Sequence, residues 1–403
     1  MAGRLLPAVL TLLAGGAAAQ ALPLLLGPWL TRLYTPADFG AFHLFAAVAA
    51  NLGVVACARY EFALPLAQDE AEAHGLRALA LRVLVAVTVL SVVGGAAAAG
   101  VLGPHWLLLG PSVGLLGLVS LAGFWATRAL RFRAVALARF LSQGSAPIWQ
   151  LLLHGVGVLG LVLGPLLASV AALLTLRLPL RAPVQDRPVQ DWRLLARAHR
   201  DFPLLNTPHA FMGALQDTLS LALIAQTQGL MAAGFWGLAL RYLKAPAGLM
   251  GSAVSQALYP LLARSDRQTG RETLLRTMAL LFACSLPLAA LLMAFGADAF
   301  AWAFGERWRP AGELGAALAP YLALHFVASP LSVAPLAWGC QAWALRLSLV
   351  GQGLHLLAIG LGLQWGGLTQ AAWLLSLFMA AYFGYFFWRL PGLARDGTAK
   401  ESV

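Results

Sequence analysis

The sequence predicts an all-α integral membrane protein of about twelve transmembrane helices, arranged as two six-helix bundles. Three observations carry this. The chain of 403 residues is 60% hydrophobic and only 11% charged, with a mean hydropathy of +0.77. Soluble domains carry about 25% charged residues, so lipid must solvate much of this surface. Apolar runs of bilayer length, about 20 residues each, recur from end to end, and the basic residues collect in the short stretches between them.

The spans follow in order. Met1 to Gln20 carries one basic residue, Arg4, and an Ala17-Ala18-Ala19 run that imitates a signal-peptidase site. The apolar stretch continues through Leu22, Leu24–Leu26 and Trp29, longer than the 7–15 residues of a signal-peptide core. It is therefore expected to remain as a first helix over 5–30. The next spans are expected near 40–58, 76–102, 105–127, 137–157 and 159–179. The fifth and sixth run together through Leu151 to Leu176, with only Gly160 or Gly164–Pro165 offering a turn. The remaining six are placed near 203–226, 231–262, 274–303, 313–338, 341–363 and 367–389.

Orientation follows from the 27 basic residues. Only Arg32, Arg307 and Arg309 fall in loops on one side, and Arg241 and Lys244 lie within a span. All the others, from Arg4 through Arg59, Arg128 and Arg264 to Lys400, share the opposite side. The positive-inside rule makes that side cytoplasmic. Both termini are then cytoplasmic and the number of spans is even.

The longest hydrophilic stretch, 181–201 with Pro183 and Pro188, lies mid-chain and reads as a cytoplasmic linker. It separates an N-terminal bundle (1–180) from a C-terminal bundle (202–390), which is followed by a tail (391–403). A weak echo supports two halves: Gly40-Ala41-Phe42-His43-Leu44 opens the second span and Gly234-Phe235-Trp236-Gly237-Leu238 the eighth. Duplicated halves are common in secondary transporters.

Several classes of function are disfavoured. The net charge of +11 is spread over short loops rather than gathered on a soluble module, so no nucleic-acid partner is expected. Cys57, Cys284 and Cys340 stand singly in apolar runs, giving neither a zinc motif nor a disulfide framework. Gly155, Gly157 and Gly160 form a literal GxGxxG. It lies in a bilayer-length apolar run, where close packing or a turn explains it better than a dinucleotide. P-loop and HExxH motifs are absent from the sequence. We expect no enzyme, no cofactor and no metal, and transport energy drawn from a gradient.

Ionisable residues inside spans are costly and either paired or functional. Asp217 lies about 13 Å, and Arg241 about 15 Å, from the same membrane face at 1.5 Å per residue. The two are thus expected at matching depth in antiparallel neighbours. Arg241 and Lys244 are three apart and share a helix face. One reading is a structural Asp217–Arg241 ion pair, or a coupling site, with Lys244 snorkelling. The other is a cationic cavity for an anionic head group, in which Arg grips phosphate oxygens bidentately and Lys acts as a point charge. Pro246 is expected to bend this helix.

The segment Leu30-Thr31-Arg32-Leu33-Tyr34-Thr35-Pro36-Ala37-Asp38-Phe39-Gly40 resembles the first loop of bacterial polysaccharide repeat-unit (O-antigen, Wzx-type) flippases. Arg59-Tyr60-Glu61-Phe62-Ala63-Leu64-Pro65 resembles their next loop. Gly234 to Pro260, with Ala239-Leu240-Arg241 and Pro246, resembles their eighth helix, and Phe304-Gly305-Glu306-Arg307-Trp308 their ninth-to-tenth loop.

That resemblance implies two pseudo-symmetric six-helix bundles of the MATE type, in the bacterial inner membrane. It implies an undecaprenyl-pyrophosphate-linked oligosaccharide as substrate, moved by alternating access for O-antigen, capsule or exopolysaccharide synthesis. It implies the lipid bilayer as partner, and the polysaccharide polymerase and glycosyltransferases of the same pathway. Arg32, Arg59 and Arg241 match recurring basic positions of the family and, with Lys244, form the expected substrate-binding set. A MATE-like small-molecule exporter is the main rival. A membrane polymerase is disfavoured because no large far-side loop exists in the sequence.

Overall fold

The computed structural model of the protein describes residues 19–178 and 192–396. The expected first-span residues 5–18, most of the linker and the tail from 397 lie outside the described residues. Among the described residues the regular elements are all helical.

Helix α1 covers 19–33. Helix α2 (Pro36–Val55) starts at a capping box: Thr35 Oγ1 accepts from the Asp38 amide at 3.2 Å, and Asp38 accepts from the Thr35 amide at 2.9 Å. This pairing satisfies two orphan donors at the helix start. Helix α3 (Glu70–Leu102) is capped by Asp69, which accepts from the Glu72 amide at 2.7 Å. Helix α4 is Leu109–Arg128.

The fifth span is not one helix. It comprises α5 (Phe132–Arg139), a π turn (Phe140–Gly144) and α6 (Ala146–Leu152). The turn before α7 (Val158–Leu176) falls at His154–Gly157, with Gly157 at φ +59°. It does not fall at Gly160 or Gly164–Pro165, which are close-packing positions instead. A Cβ at Gly164 would sit 2.8 Å from the Ala146 carbonyl, and one at Gly160 2.6 Å from the Tyr34 hydroxyl. The GxGxxG is thus a turn followed by helix contact.

Beyond the linker, α8 (Trp192–Ala198) and a π turn (Phe202–Asn206) lead into α9 (Thr207–Arg264), broken at Gly229. Helix α10 (Arg267–Phe304) is capped by Asp266. It is followed by α11 (Arg309–Leu331), α12 (Ala334–Ala337), α13 (Gln341–Arg389, broken at Gly367) and α14 (Leu393–Asp396). Gly229 (φ 85°, ψ 169°) and Gly367 (φ 80°, ψ −157°) occupy a backbone region open essentially only to glycine. Each turns the chain between two membrane-length arms without a loop. Eight described stretches are long and apolar enough to cross a bilayer. Two of those, within α9 and α13, contain both arms, and the fragmented fifth span and partly described first span are not among the eight. Among the described residues each of the twelve expected spans therefore has a helical counterpart, the first over 19–30 alone, and the protein is a multi-pass membrane protein.

The chain divides into two compact units, 1–221 and 222–403. In the first, small residues let helices approach closely, as lipid-solvated packing requires. Ala122, Ala126, Ala138 and Ala172 are buried with Leu176 where α4, α5 and α7 meet. Helix α8 rests on α3: Leu195 fills the notch at Gly75, and His199 Nε2 lies 2.9 Å from Glu72 Oε1. In the second unit α11 forms the centre, with 72% of its apolar stretch buried, whereas only 11% of α10's is. Ser376 Oγ of α13 donates to the Ala317 carbonyl of α11 at 2.6 Å.

A structural repeat links the two units. Gly103 (φ 106°, ψ 162°) opens a 3-10 turn ending near buried Trp106, whose ring meets Phe45 of α2 at 5.6 Å. Gly305 (φ 100°, ψ 156°) opens an equivalent turn ending at buried Trp308, whose ring meets Phe235 of α9 at 5.9 Å. Both ring pairs are edge-on. The shared Gly-x-x-Trp entry into the fourth and tenth spans is what an ancestral duplication leaves.

Candidate functional site

Among the expected residues, the loop after α2 is the most constrained in the first unit. Ala58 and Arg59 are both left-handed, at φ 47° and 61°. Such backbone costs about 1–3 kcal/mol per non-glycine residue and concentrates at functional sites. The strain aims Arg59 over the Phe62 ring, 4.6 Å from its centroid, and Phe62 packs on Phe124 of α4 at 4.3 Å. Arg59 Nε is buried with no hydrogen-bond partner among the described residues.

Glu61, two residues on, is only 3% exposed. Ser120 of α4 donates to its Oε1 at 3.5 Å, while Oε2 has no partner among the described residues. Burial pushes its carboxyl up, an effect opposed by its own backbone hydrogen bond, Arg59 and Ser120. Sequence reasoning missed Glu61 as a site residue. The available signal was an acid set among Tyr60, Phe62 and Ala63, where a solvated loop would carry polar neighbours.

Arg128 holds this loop in place. From the end of α4 it donates to the carbonyls of Leu64 (3.2 Å), Ala67 (2.7 Å) and Asp69 (3.1 Å), and pairs with Glu70 at 3.1 Å. Arg131 likewise caps α7, donating to the Leu176 carbonyl at 2.9 Å. Residues read from sequence only as orientation signals thus also close helix and loop ends.

Arg32 lies in the last turn of α1 and is exposed. Asp217 lies on the first arm of α9, within the first unit. That arm is tied to α2: Thr218 Oγ1 donates to the Ala47 carbonyl at 3.2 Å, and Asn51 Nδ2 to the Phe211 carbonyl at 3.5 Å. Arg241 and Lys244 lie on the second arm of α9, within the second unit, both half-buried. Between them Tyr242 packs edge-on to Phe304 at 4.6 Å. Helical dihedrals continue through residue 246, and the one break recorded in α9 is at Gly229. No group of three or more His, Cys, Asp or Glu side chains suited to a metal occurs among the described residues.

A family model described as "Polysaccharide biosynthesis protein" matches residues 29–313. The chain belongs to this family. The match runs from the end of α1 into α11 and so includes Arg32, Arg59, Asp217, Arg241 and Lys244. No curated protein matches the chain.

Solved structures of transporters of the MOP superfamily share this fold. An inward-facing multidrug resistance MATE transporter aligns with a TM-score of 0.67 at 14% identity, covering 96% of this chain and 95% of that one. The lipid II flippase MurJ, in an inward closed conformation, aligns with a TM-score of 0.66 at 12% identity, covering 95% and 90%. A MOP superfamily transporter from Pyrococcus furiosus, described as having a binding pocket of reverse polarity, gives 0.54 at 15% identity over 96% of each chain. At these identities the likeness is one of fold.

Proposed function

We propose that this family member is a flippase carrying undecaprenyl-pyrophosphate-linked oligosaccharide repeat units across the bacterial inner membrane. The polysaccharide family and the MurJ-like fold support a role in moving a lipid-linked precursor. The observation that carries the substrate reading is the cationic pair Arg241 and Lys244, three apart and half-buried within a membrane-spanning arm. A guanidinium beside an ammonium suits a pyrophosphate: the first grips two oxygens, the second neutralises the remaining charge.

In this reading Arg241 and Lys244 take the head group, and Arg32 and Arg59 supply further cationic contacts during alternating access. The polyprenyl tail stays in lipid. Asp217 serves as an ion-pair or coupling residue. The termini are cytoplasmic, the halves 1–180 and 202–390 move about the linker 181–201, and the chain catalyses no covalent step. Polymerase and glycosyltransferases of the same polysaccharide act before and after it.

A MATE-like small-molecule exporter is the second reading, favoured by the structural likeness to a multidrug transporter. The test is reconstitution of the purified protein into vesicles carrying a lipid-linked oligosaccharide on one leaflet. Transfer to the other leaflet by wild type, and its loss in Arg241→Ala, supports the flippase. Efflux of organic cations with no lipid transfer replaces it with the exporter.

A further inference from the structure

The first unit holds a cavity of about 260 Å³ between α4, α5, the π turn and α7. It differs in kind from the cavity of about 160 Å³ between α2, α4 and α7, which is walled largely by Phe42, Phe45, Ala46, Leu115, Leu116 and Val162. The larger one sets Ser120, Thr127, Arg139, Ser142 and Gln143 beside an apolar wall of Val119, Phe124, Val135, Ala138 and Leu176. Such a concentration of polar side chains in helices otherwise apolar is expensive in a membrane protein. The π turn makes it: one extra residue per turn at Phe140–Gly144 brings Ser142 and Gln143 to this wall. π turns inside helices occur frequently at functional sites.

The hydrogen-bond inventory says what fits. Thr127 Oγ1 donates to the Gly123 carbonyl at 2.8 Å, Ser142 Oγ to the Arg139 carbonyl at 3.2 Å, and Ser120 Oγ to Glu61 at 3.5 Å. The Thr127 and Ser142 hydroxyls thus donate within their own helices, which leaves their oxygens acceptor capacity. Arg139 and the Gln143 amide, both exposed, supply donors. Acceptors outnumber cationic donors, so the wall opposes a pyrophosphate, which needs donors on every side. It matches vicinal hydroxyls, each able to give and receive a hydrogen bond. Phe124 adds an aromatic face for an apolar ring surface. The volume lies just below the range of about 300–1,000 Å³ that holds drug-sized ligands, room for one ring rather than a chain.

We propose that this cavity binds a single pyranose ring, the sugar end of the lipid-linked saccharide. The lipid-linked part rests on the flippase reading; the sugar-binding part stands on the cavity alone. Gly123 provides the tool. A Cβ there meets nothing within 4 Å and Gly123 lines the cavity, so Gly123→Leu fills it from inside a helix that tolerates the side chain. Gly94→Leu, equally open but on α3, is the control. Gln143→Ala, at an exposed position, removes a polar group without adding bulk.

The experiment uses full-length protein in nanodiscs. In one arm, saturation-transfer NMR reads binding of methyl glycosides of hexoses and N-acetylhexosamines. Signal in wild type and Gly94→Leu, lost in Gly123→Leu and reduced in Gln143→Ala, is expected. No signal for any glycoside in wild type, or equal signal in Gly123→Leu, overturns the sugar site. In the other arm, affinity is measured for undecaprenyl pyrophosphate with and without one N-acetylhexosamine. The sugar is expected to tighten binding at least tenfold in wild type and not in Gly123→Leu, with bare-lipid affinity unchanged. Glycoside binding with no affinity for either lipid keeps the sugar site and removes the flippase reading. Lipid binding indifferent to the sugar removes the site's role in that substrate.

Discussion

Arg128 is the residue on which the candidate loop depends most. Its guanidinium reaches three carbonyls and one carboxylate over residues 64–70. Leu64 and Ala67, whose carbonyls it serves, are 0% and 8% exposed. The Leu64 carbonyl also accepts from the Ala67 amide at 3.4 Å, so the buried acceptor left unpaired is that of Ala67, at a cost of about 1–3 kcal/mol. The Glu70 pair adds little, because that carboxylate is 65% exposed and exposed pairs are worth about 0–1 kcal/mol. Arg128→Ala is therefore expected to lose roughly 1–3 kcal/mol in detergent-induced unfolding. Arg128→Lys, with donors radiating from one nitrogen rather than a planar fork, recovers less than half of it. Glu70→Ala stays close to wild type. Arg128→Ala unfolding at wild-type denaturant concentrations, or Glu70→Ala matching its loss, refutes the assignment of the energy to the backbone carbonyls.

Four further outcomes follow from the same geometry. A Cβ at Gly312 meets the Gly296 carbonyl and lies 2.7 Å from Ala297 Cα. Gly312→Ala should thus cost about 1–3 kcal/mol by overpacking, read as a lower melting temperature, while Gly94→Ala leaves it unchanged. Gly229→Ala is expected to cost about 1–3 kcal/mol from its backbone angles alone, measured in the same way. Burial raises the Glu61 carboxyl, so its contribution to stability is present below the ordinary carboxylate range and fades as pH rises through the folded value. Glu61→Gln should melt above wild type at pH 8 and with a much smaller difference near pH 4; the reverse trend contradicts this sign. In transport, Arg241→Lys keeps charge but loses the bidentate grip, and a fall of about tenfold is expected, equivalent to ~1.4 kcal/mol. Unchanged initial flipping rates in vesicles count against phosphate binding at Arg241.

The membrane architecture was legible because lipid imposes length and polarity on every span, and the basic loops mark their ends. The fifth span shows the limit. Hydropathy sees one apolar run over 137–157, whereas hydrogen bonding there passes through α5, a π turn and α6. The turn at Gly157 was hidden among Gly155, Gly160 and Gly164, since composition cannot say which glycine takes a positive φ. Arg128 and Arg131 read as topology signals because their acceptors lie 45–64 residues away in sequence. The partners of the Glu61 loop are distant in sequence in the same way: Ser120 and Phe124 reach it only in the folded chain. The Gly103-x-x-Trp106 and Gly305-x-x-Trp308 repeat, by contrast, was written plainly in the sequence.

The central claim is that this protein moves a lipid-linked saccharide between leaflets. Its most direct test is the amount of undecaprenyl-pyrophosphate-linked oligosaccharide held on the cytoplasmic leaflet of cells lacking the protein. The account predicts build-up there, loss of surface polysaccharide, and rescue by wild type but not by Arg241→Ala. Normal leaflet distribution, together with heightened sensitivity to cationic drugs, would contradict it and place the protein among exporters.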